Sequence, residues 1–491
     1  MGTILLSEDP SEAASQGVPA PHSASAVVAP SDGSTTSRFG PESVKIGGSS
    51  SANGAGARES GGGGGDALDY AAAAAIPHSC IGVVSRDSEF VVQGGSALGN
   101  FACVGEADSN GGMHENRGAS GLENGGECGP RDIHLVCPDV VGLQPVALVD
   151  HVARVDWSLL ESVPGERGGS MRVTEEELDH ILREVNSHFL MSANGVVEQG
   201  VKTLAGGSVA NTIRGLAHGL GVKTALVGVR GTDDRGEMFA ENMAHAGVDL
   251  SRLRAVPGLT AQCACLVDAE GNRTMRPCFL NAVRLQSEEL TGEDFKGAKW
   301  VVLNGYGFYG EDLLERAVDL CKEEGVKVSM DLASFEVVRN FRPTLMRLLE
   351  SRKVDLVFAN EDEARELIKA EQNPCPETCL NFLSKYCERA VVMLGSKGCI
   401  ARHGNETVRV PAIKETIAVD TTGAGDLFAS GFLYGVLNNF SLEDCCNMGC
   451  CTGGAVVRGL GGEVGEEGWE WMQQQLKFRK LSLIQHTTRT T

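Results

Sequence analysis

The segment IAVDTTGAGDLFASGFLYGVL, at residues 417–437, says most about the architecture of this chain. Residues 417–419 are small or β-branched and apolar, which predicts the end of a strand, and residues 427–437 are an apolar run long enough for a buried helix. Gly423 and Gly425 lie between them and allow backbone conformations and a close approach that a side chain would block. Strand, glycine loop and helix together predict an α/β unit whose helix N-terminus can bind an anion.

Asp426 follows the second glycine, and two interpretations of it are open. The aspartate, or Thr421 or Thr422, can simply cap the helix, although capping requires neither glycine. Alternatively, a loop that binds phosphate with a carboxylate beside it suits phosphoryl transfer, in which a base accepts the proton of the attacking hydroxyl. The segment lacks the Lys-Ser/Thr ending of a Walker A loop and the spacing of a dinucleotide fingerprint. We therefore predict a phosphate loop of another type.

Composition excludes several functional classes. The 491 residues allow two or three domains, and the net charge of −22 argues against a broad surface for nucleic acid or an anionic membrane. No apolar run approaches the roughly 18 residues of a membrane helix. Sixteen cysteines at irregular spacing, without a secretory signal, favour a reduced intracellular protein. A zinc site formed by Cys445, Cys446, Cys450 and Cys451 is the alternative, but no histidine or second paired motif accompanies them.

The first quarter of the chain differs from the rest. Residues 1–135 are of low complexity and poor in aromatic residues, so we expect them to be disordered. We expect a cytoplasmic protein; the alternative is import into plastids, but Glu8, Asp9 and Glu12 are acids of a kind that transit peptides avoid. Residues 481–491 are predicted to be a flexible tail.

Residues 136–480 alternate between strand-like and helix-like patterns, which predicts a doubly wound α/β domain with a mainly parallel sheet covered on both faces. Strands are predicted at residues 223–229, 261–267, 300–303, 326–330, 355–358 and 390–394. Helices are predicted at residues 209–220, 311–324, 361–369 and 377–387. Residues 150–156 and 261–281 predict a small β-sheet lid. Ligands are expected beyond the carboxyl ends of the parallel strands.

Two polar motifs in the first half of this region occur where that rule expects them. Asp150 is predicted to end a strand and to accept two hydroxyl hydrogen bonds from a sugar, although an acid in a solvated turn is the plainer interpretation. Gly206 and Gly207 open a helix that carries Asn211 one turn later. A glycine-rich turn with a helix cap explains that second motif equally simply.

Two further motifs follow in the second half. Asn360 comes directly after a strand and Glu363 lies in the first turn of the next helix, which an ordinary N-cap with favourable dipole charge also explains. The turn Gly395-Ser396-Lys397-Gly398 follows another strand, where a plain hairpin turn is the alternative. Each motif alone is weak, so their combination carries the interpretation.

In combination, residues of about 138–475 resemble the ribokinase-like, PfkB-type carbohydrate and nucleoside kinases. The segment Asp420-Thr421-Thr422-Gly423-Ala424-Gly425-Asp426 is similar to their C-terminal signature. Gly206-Gly207…Asn211 resembles the N-terminal signature of the family. Asn360-x-x-Glu363 resembles its magnesium–phosphate motif, and Gly395-Ser396-Lys397-Gly398 resembles its adenine-nucleotide turn. The phrases ALVDHVARVDWSLL and VSMDLASFEVVRN suggest a plant subgroup. The resemblance implies a Rossmann-like domain with a β-lid and ATP-dependent phosphorylation of an alcohol, with Mg²⁺ required and K⁺ as an activator.

The resemblance also implies a role for each matched residue. Asp426 is the expected base, and the amides of Gly423, Ala424 and Gly425 the expected anion hole. The residues expected to bind the acceptor are Asp150, Gly206, Gly207 and Asn211. The residues expected to bind ATP are Asn360, Gly395, Ser396, Lys397, Gly398, Gly423 and Gly425. Mg²⁺ is expected at Asn360 and Glu363, largely through water, and a monovalent cation at Asp420 and Thr422.

The acceptor stays open between two classes. Ser208 follows the glycine pair where many ribokinases have lysine and the nucleoside-using branch often has serine, which favours a nucleoside over ribose or a fructose-type sugar. Phe279, Tyr306 and Phe335 are candidates for a wall against a purine. A non-catalytic regulatory member of the fold is a second alternative, opposed by the intact Asp426. The expected partners are ATP and a small molecule, bound by a monomer or a homodimer.

Overall fold

The computed structural model of the chain describes residues 137–191, 200–369, 374–414 and 416–484. The predicted disorder of residues 1–135 and most of the predicted tail, from residue 485, lie outside these ranges. Within them, no helix is both long enough and apolar enough to cross a bilayer.

The described residues form thirteen strands in two sheets. The strands are β1 (Val140–Gln144), β2 (Leu148–Arg154), β3 (Lys202–Gly206), β4 (Thr224–Gly231), β5 (Leu253–Val256), β6 (Ala261–Val267), β7 (Arg273–Cys278), β8 (Trp300–Asn304), β9 (Lys327–Asp331), β10 (Leu356–Asn360), β11 (Arg389–Met393), β12 (Cys399–His403) and β13 (Glu406–Val410). The large sheet has the order β13-β12-β11-β10-β9-β8-β1-β4-β5. Its pairs are parallel from β5 to β11, and the hairpin of β12 and β13 is antiparallel at one edge.

Helices cover both faces of the large sheet. They are α1 (Trp157–Ser162), α2 (Glu175–Met191), α3 (Ser208–Arg214), α4 (Asp234–His245), α5 (Leu313–Glu323), α6 (Phe335–Glu350), α7 (Glu361–Ile368), α8 (Pro376–Leu383), α9 (Ala424–Leu437), α10 (Leu442–Val456) and α11 (Glu466–Phe478). Alternate strand residues enter opposite cores: Val140 packs with α3, α4, α9 and α10, and Val141 packs with α5 to α8. The predicted mainly parallel, two-faced sheet is confirmed.

Strand order fixes where a ligand site can form. β1 pairs with β4 on one side and with β8 on the other. The strands that follow β1 in the large sheet, β4 and β5, therefore extend it toward one edge, and β8 to β13 extend it toward the other. In open α/β sheets, a crevice forms beyond the carboxyl ends of strands at such a switch point. Gln144 and Asn304 are the last residues of β1 and β8 and lie at this crevice.

A separate four-stranded sheet, of order β3-β2-β6-β7, contains the segments predicted to form the lid. Its strand β6 has the bounds that the alternating pattern predicted. One face packs against α1 and α2 through residues such as Leu160, Leu178 and Leu266. We refer to these four strands as the lid sheet.

Three local predictions differ from the structure. Residues 417–419 form no strand; Ile417 is 75% exposed, and the backbone N–H of Val419 donates to the carbonyl of Val457 in an irregular loop. Asp150 does not end a strand but lies inside β2, because both neighbouring strands pair with β2 through this position. The predicted helix at 209–220 is α3 followed by a π-helical turn, Gly215–Gly219.

The cysteines of α10 behave as packing residues. Cys445, Cys446 and Cys451 are buried in the core between α10 and the sheet. Among the described residues, none of the α10 cysteines belongs to a group of three convergent metal-ligating side chains. The zinc alternative for this helix therefore has no support.

Candidate active site

A cavity of about 600 Å³ lies at the crevice between the large sheet and the lid sheet. Most of the predicted site residues line it. They are Asp150, Gly207, Asn211, Asn360, Glu363, Gly395, Ser396, Gly398, Thr422, Gly423, Ala424, Gly425 and Asp426. Gly206, Lys397 and Asp420 do not line the cavity. Its size is in the range of ordinary small-molecule sites.

Asp426 lies in the first turn of α9, and its carboxylate is bound to a different helix. Ser208 Oγ donates to Oδ1 at 2.6 Å, and Asn211 Nδ2 donates to Oδ2 at 2.9 Å, both from α3. Burial raises the pKa of Asp426, and these two hydrogen bonds counteract part of that rise. A half-buried carboxylate with a raised pKa and a cavity in front of it is suited to accept a proton.

The capping interpretation of this segment is wrong. Helix α9 begins after Gly423, which has no side chain to cap it, and both oxygens of Asp426 are bonded to α3. Thr421 Oγ1 donates to the carbonyl of Gly271 on the far side of the loop. Thr422 Oγ1 has no hydrogen-bond partner among the residues described. The start of α9 therefore has no side-chain cap from these residues; the Ala424 N–H donates to the Thr421 carbonyl at 3.2 Å, and Ala424 and Gly425 line the cavity.

The glycine loop packs too closely for side chains at one of its two glycines. Gly423 has φ +76°, and a Cβ there would lie 2.8 Å from the Cα of Gly462. A Cβ on Gly425 would meet only the Met393 side chain, with Cε at 3.4 Å, so this position has room. Gly423 therefore holds the loop shape, whereas Gly425 leaves the cavity side of the loop open to a ligand.

Two polar residues that the sequence motifs did not include join the Asp426 network. Asn304 Nδ2 donates to Ser208 Oγ at 2.8 Å and to Asp331 Oδ1 at 3.1 Å. Burial, followed by the charge of Asp426, raises the pKa of Asp331 to about 7. Both residues end parallel strands, β8 and β9, so the strand-end rule itself was the signal that could have found them.

Asp150 lines the cavity from the lid sheet. Burial raises its pKa to about 7, and its Oδ1 has no hydrogen-bond partner in the described part of the chain. A Cβ on Gly206 would lie 2.2 Å from the Asp150 Cγ, and one on Gly207 would lie 2.4 Å from Gln144 Nε2. The glycine pair therefore makes room for both side chains.

Arg214 connects α3 to its surroundings from below the cavity. It is 4% exposed and donates to Asn211 Oδ1 at 2.7 Å, to the Ala205 carbonyl at 3.0 Å and to the Gly462 carbonyl at 3.1 Å. Because Arg214 occupies the oxygen of the Asn211 amide, the amide nitrogen must point toward Asp426. The guanidinium thus fixes the orientation of a side chain that lines the cavity.

Asn360 and Glu363 form a capping box at the start of α7, as the plainer interpretation of that motif predicted. Asn360 Nδ2 donates to Glu363 Oε1 at 2.6 Å, and the Glu363 N–H donates to Asn360 Oδ1 at 2.9 Å. Capping alone does not require burial, yet Glu363 is 2% exposed. Burial and the nearby Asp331 raise the pKa of Glu363. The buried Glu363 and the half-buried Asp331 at the cavity wall are a donor set that fits a hard divalent cation.

The predicted adenine turn connects β11 to the antiparallel β12. Gly395–Lys397 form a 3₁₀ turn. Gly398, which follows, has φ +92°, and a Cβ at this residue would lie 2.0 Å from the carbonyl oxygen of Val410. The Lys397 side chain is 70% exposed and its ammonium lies 3.9 Å from Glu361, so it faces solvent instead of the cavity. This turn can therefore contact a ligand through its backbone atoms and not through the Lys397 side chain.

Asp420 is buried beneath the glycine loop and accepts backbone hydrogen bonds from Thr422 at 2.8 Å and Gly461 at 2.7 Å. Beside it, the buried Thr422 hydroxyl lacks a partner in the described residues. An unused oxygen next to a fully buried carboxylate fits a monovalent cation.

A cation from the lid sheet and two aromatic side chains, one after lid strand β7 and one after β8 of the large sheet, line the cavity. Arg273, the first residue of β7, lines the cavity and lowers the pKa values of Asp426, Asp331 and Glu363 against the effect of burial. Phe279 and Tyr306 line the cavity as predicted. Phe335 does not line it; its ring lies under the guanidinium of Arg339, so its proposed place in the acceptor wall is corrected.

Phosphoryl transfer to an alcohol is the chemistry that suits a half-buried carboxylate at a helix N-terminus and a second pair of acids on the same cavity wall. The sequence model of the pfkB family carbohydrate kinases matches residues 177–467, more than half of the chain. The chain therefore belongs to the pfkB family of carbohydrate kinases. Kinases of this family use ATP and normally need a metal ion, so the chain is an ATP-dependent phosphotransferase that acts on an alcohol of a nucleoside or a sugar.

Individual relatives include both acceptor classes. A ribokinase of Lactococcus lactis is 27% identical over 57% of this chain and 87% of its own length, and an adenosine kinase of Schizophyllum commune is 28% identical over 55% and 84%. A probable sugar kinase of Rhizobium etli is 30% identical with a TM-score of 0.59, covering 69% of this chain and 98% of its own. The adenosine kinase of Sinorhizobium meliloti is 28% identical with the same TM-score of 0.59, covering 69% and 99%. The expected plant subgroup is not borne out.

Proposed function

We propose that the chain is a nucleoside kinase that phosphorylates the hydroxymethyl group of a nucleoside such as adenosine. The observation that carries this proposal is the hydrogen bond from Ser208 to Asp426, because a short hydroxyl replaces the long cation that many sugar-using members have. Phe279 and Tyr306 supply aromatic surface at the lid side of the same cavity, which suits a flat base. The similarity to adenosine kinases supports this choice.

In the proposed reaction, the acceptor hydroxyl approaches Asp426 and gives up its proton to the carboxylate as it attacks the γ-phosphorus of ATP. Gly423, Ala424 and Gly425 line the cavity, and we assign their backbone N–H groups to the negative charge that collects on the transferred phosphoryl group; in the present structure the Ala424 N–H donates to the Thr421 carbonyl at 3.2 Å. Asp150 and Asn211 hold other hydroxyls of the acceptor. Closure of the lid sheet excludes water, which would otherwise compete as acceptor.

Two cations belong to this proposal. Asn360 and Glu363, with Asp331 beside them, would hold Mg²⁺ largely through water; the ion neutralises charge on the ATP phosphates when it is bound. Asp420 and Thr422 would hold K⁺, since the Thr422 hydroxyl is buried and has no partner among the described residues. Our proposal for the first site rests on the position of Asn360, Glu363 and Asp331, which line the same cavity.

Replacing K⁺ by Na⁺ or by a large organic cation is expected to lower kcat, because the ion shapes the loop that presents the anion-hole amides. Thr422→Val keeps the shape of the side chain but removes the hydroxyl. This variant should lose the preference for K⁺ while its remaining activity still depends on Mg²⁺. Equal kcat in all three salts for the unmodified enzyme would remove the monovalent site.

The acceptor is tested with a panel of adenosine, other nucleosides, ribose and fructose, with ADP formation as the readout. The highest kcat/KM is expected for a nucleoside, and Asp426→Asn serves as the background control. Ribose or fructose as the best substrate would replace the nucleoside assignment by the sugar alternative. ADP formation that is unchanged in Asp426→Asn would exclude the site itself.

A further inference from the structure

The lid sheet carries a side-chain cluster that phosphoryl transfer does not use. Asp150 on β2 pairs directly with Cys263 on β6, and Cys265 follows two residues later on the same face of β6. All three are buried. In the part of the chain that the structure describes, this is the one group of three or more metal-ligating side chains whose ligand atoms all lie within 4.8 Å of one another.

The two sulfurs converge in a way that the strand alone does not cause. Side chains at positions i and i+2 of a strand begin roughly 6.6 Å apart along its axis, since the rise is about 3.3 Å per residue. The Sγ atoms of Cys263 and Cys265 are 3.8 Å apart. A tetrahedral zinc ion, with Zn–S distances of about 2.3 Å, holds two sulfurs about 3.8 Å apart. The spacing therefore suits such an ion without rearrangement.

The third member of the cluster has an unused ligand atom. Asp150 Oδ1 is fully buried and has no hydrogen-bond partner among the described residues, and the Cys265 thiol donates instead to Cys263 Sγ. The charged groups that act on Asp150 are Arg214, Asp426 and Asp420, so two acids face one guanidinium. A divalent cation would offset the excess of negative charge.

An ion has a route to the cluster from solvent. Asp150 and Cys263 both line the cavity, so one coordination position of an ion held by three side chains would open into it. Three protein ligands with an open fourth position are a common arrangement for zinc.

We propose that Asp150, Cys263 and Cys265 form a site for one thiophilic divalent cation of the Zn²⁺ and Cd²⁺ class, with its fourth position open to the cavity. The two thiols release their protons to solvent as the ion binds, and no oxidant or reductant takes part. The consequence for activity rests on the proposed function: an ion on Asp150 removes a hydrogen-bond acceptor from the acceptor subsite. The ion should therefore compete with the nucleoside and not with ATP.

The binding test needs no turnover. The full chain, fully reduced, is titrated with Cd²⁺ alone, and the ultraviolet charge-transfer band of Cd²⁺–thiolate bonds is followed. One equivalent is expected to bind in the unmodified chain. Cys263→Ser and Cys265→Ser should each weaken binding by at least the roughly 10–100-fold that loss of a supporting residue around a metal costs. Cooperative melting confirms that each variant is folded.

The matched control is the double variant Cys399→Ser and Cys450→Ser. Those two thiols also influence each other's pKa, but they belong to β12 and α10, and among the described residues they are part of no group of three convergent metal-ligating side chains. This variant should keep the tight equivalent and its band. Loss of the band in the control with retention in Cys263→Ser would overturn the proposal, as would absence of any tight equivalent in the unmodified chain.

A kinetic measurement separates this inference from the proposed function. Zn²⁺ should raise the apparent KM for adenosine, or for whichever acceptor the panel identifies, and leave the KM for ATP unchanged. A tight Cd²⁺ equivalent that depends on both cysteines, without any effect on the acceptor KM, would uphold the ion site and instead contradict the acceptor role of Asp150.

Discussion

At the scale of single residues, Asp426→Asn is the sharpest test of the proposed chemistry. Asparagine keeps the size of the side chain but cannot take up the proton, so kcat should fall by about 10²–10⁴-fold. ATP affinity should survive, because the loop groups that hold phosphate are backbone amides. The test is to measure kcat and the ATP dissociation constant for the wild-type and Asp426→Asn proteins. A kcat of the variant close to that of wild type would contradict the mechanism.

The same substitution has two opposing effects on stability. The introduced amide would keep one acceptor oxygen but place its nitrogen against Asn211, whose own amide Arg214 holds in place, at a cost of about 1 kcal/mol. Removal of a half-buried carboxylate whose pKa is raised offsets this loss. The melting temperature should therefore change little, which separates loss of chemistry from loss of fold.

Asp150 gives a prediction about pH. Its pKa is about 7 in the folded chain against an ordinary value of 3.8. Between these two pH values the Asp150 carboxyl group is therefore protonated in the folded chain and ionised in the unfolded chain. Its contribution to stability is therefore complete below about pH 3.8 and is lost as the pH rises toward about 7. Asp150→Asn is neutral throughout, so its free energy of unfolding relative to wild type should rise between about pH 4 and about pH 7. The upper limit is on the order of a few kcal/mol.

Asp233, the N-cap of α4, is the control of opposite sign. Burial alone would raise its pKa, but hydrogen bonds from Thr260 and Gly236 lower it. Asp233→Asn should therefore lose stability at neutral pH relative to wild type, and the difference should shrink as the pH falls. Chemical denaturation at several pH values measures both variants; parallel curves for Asp150→Asn and wild type would contradict the raised pKa.

At the scale of elements, the start of α9 depends on one glycine more than on the other. Gly423→Ala forces a side chain into a left-handed conformation and against the Gly462 backbone, so both melting temperature and kcat should fall. The expected loss of stability is roughly 1–3 kcal/mol. Gly425→Ala is the matched control: it should keep the melting temperature, whatever its effect on phosphate binding. Equal melting of all three proteins would show that the loop is not constrained at Gly423.

Elements were predictable where burial and local pattern agree. Strand β6 was predicted with its observed bounds, because its residues are buried and its flanks carry turn signals. Residues 417–419 have the composition of a strand but no neighbouring strand in the described part of the chain to pair with, so they form a loop. Strand β3 was not predicted. It begins with exposed polar residues at Lys202, and its place in the lid sheet depends on pairing with β2. The side chains of His151 on β2 and Thr203 on β3, which are in contact, are 52 residues apart in the sequence.

At the scale of the whole molecule, the motifs predicted which residues meet but not how they are connected. Asp426, Asn211 and Glu363 were identified because parallel strands and glycine loops bring their ends to one edge. Asp331 was missed, although it ends a strand, because a single acid after an apolar run has no recognisable motif. The bonds from α3 to α9 depend on packing between distant segments, which no local pattern encodes.

Removal of the first part of the chain is predicted to leave the kinase intact. The described cores are built from residue 140 onward, and β1 already pairs on both sides within them. A protein that begins at Arg131 should melt cooperatively at an unchanged temperature and keep kcat. Insoluble or inactive protein from this truncation, with the full chain active in the same assay, would show that residues before 131 are needed.

The bond between Ser208 and Asp426 joins residues 218 positions apart, and this separation has a consequence for biosynthesis. On a ribosome that adds about 5–20 residues per second, α3 waits roughly 10–40 s for α9 to be made. Throughout that interval the nascent chain has Ser208 and Asn211 but neither Asp426 nor the glycine loop before it. On the proposed mechanism, a chain that stops before α9 cannot consume ATP, so activity can appear only after α9 has been made.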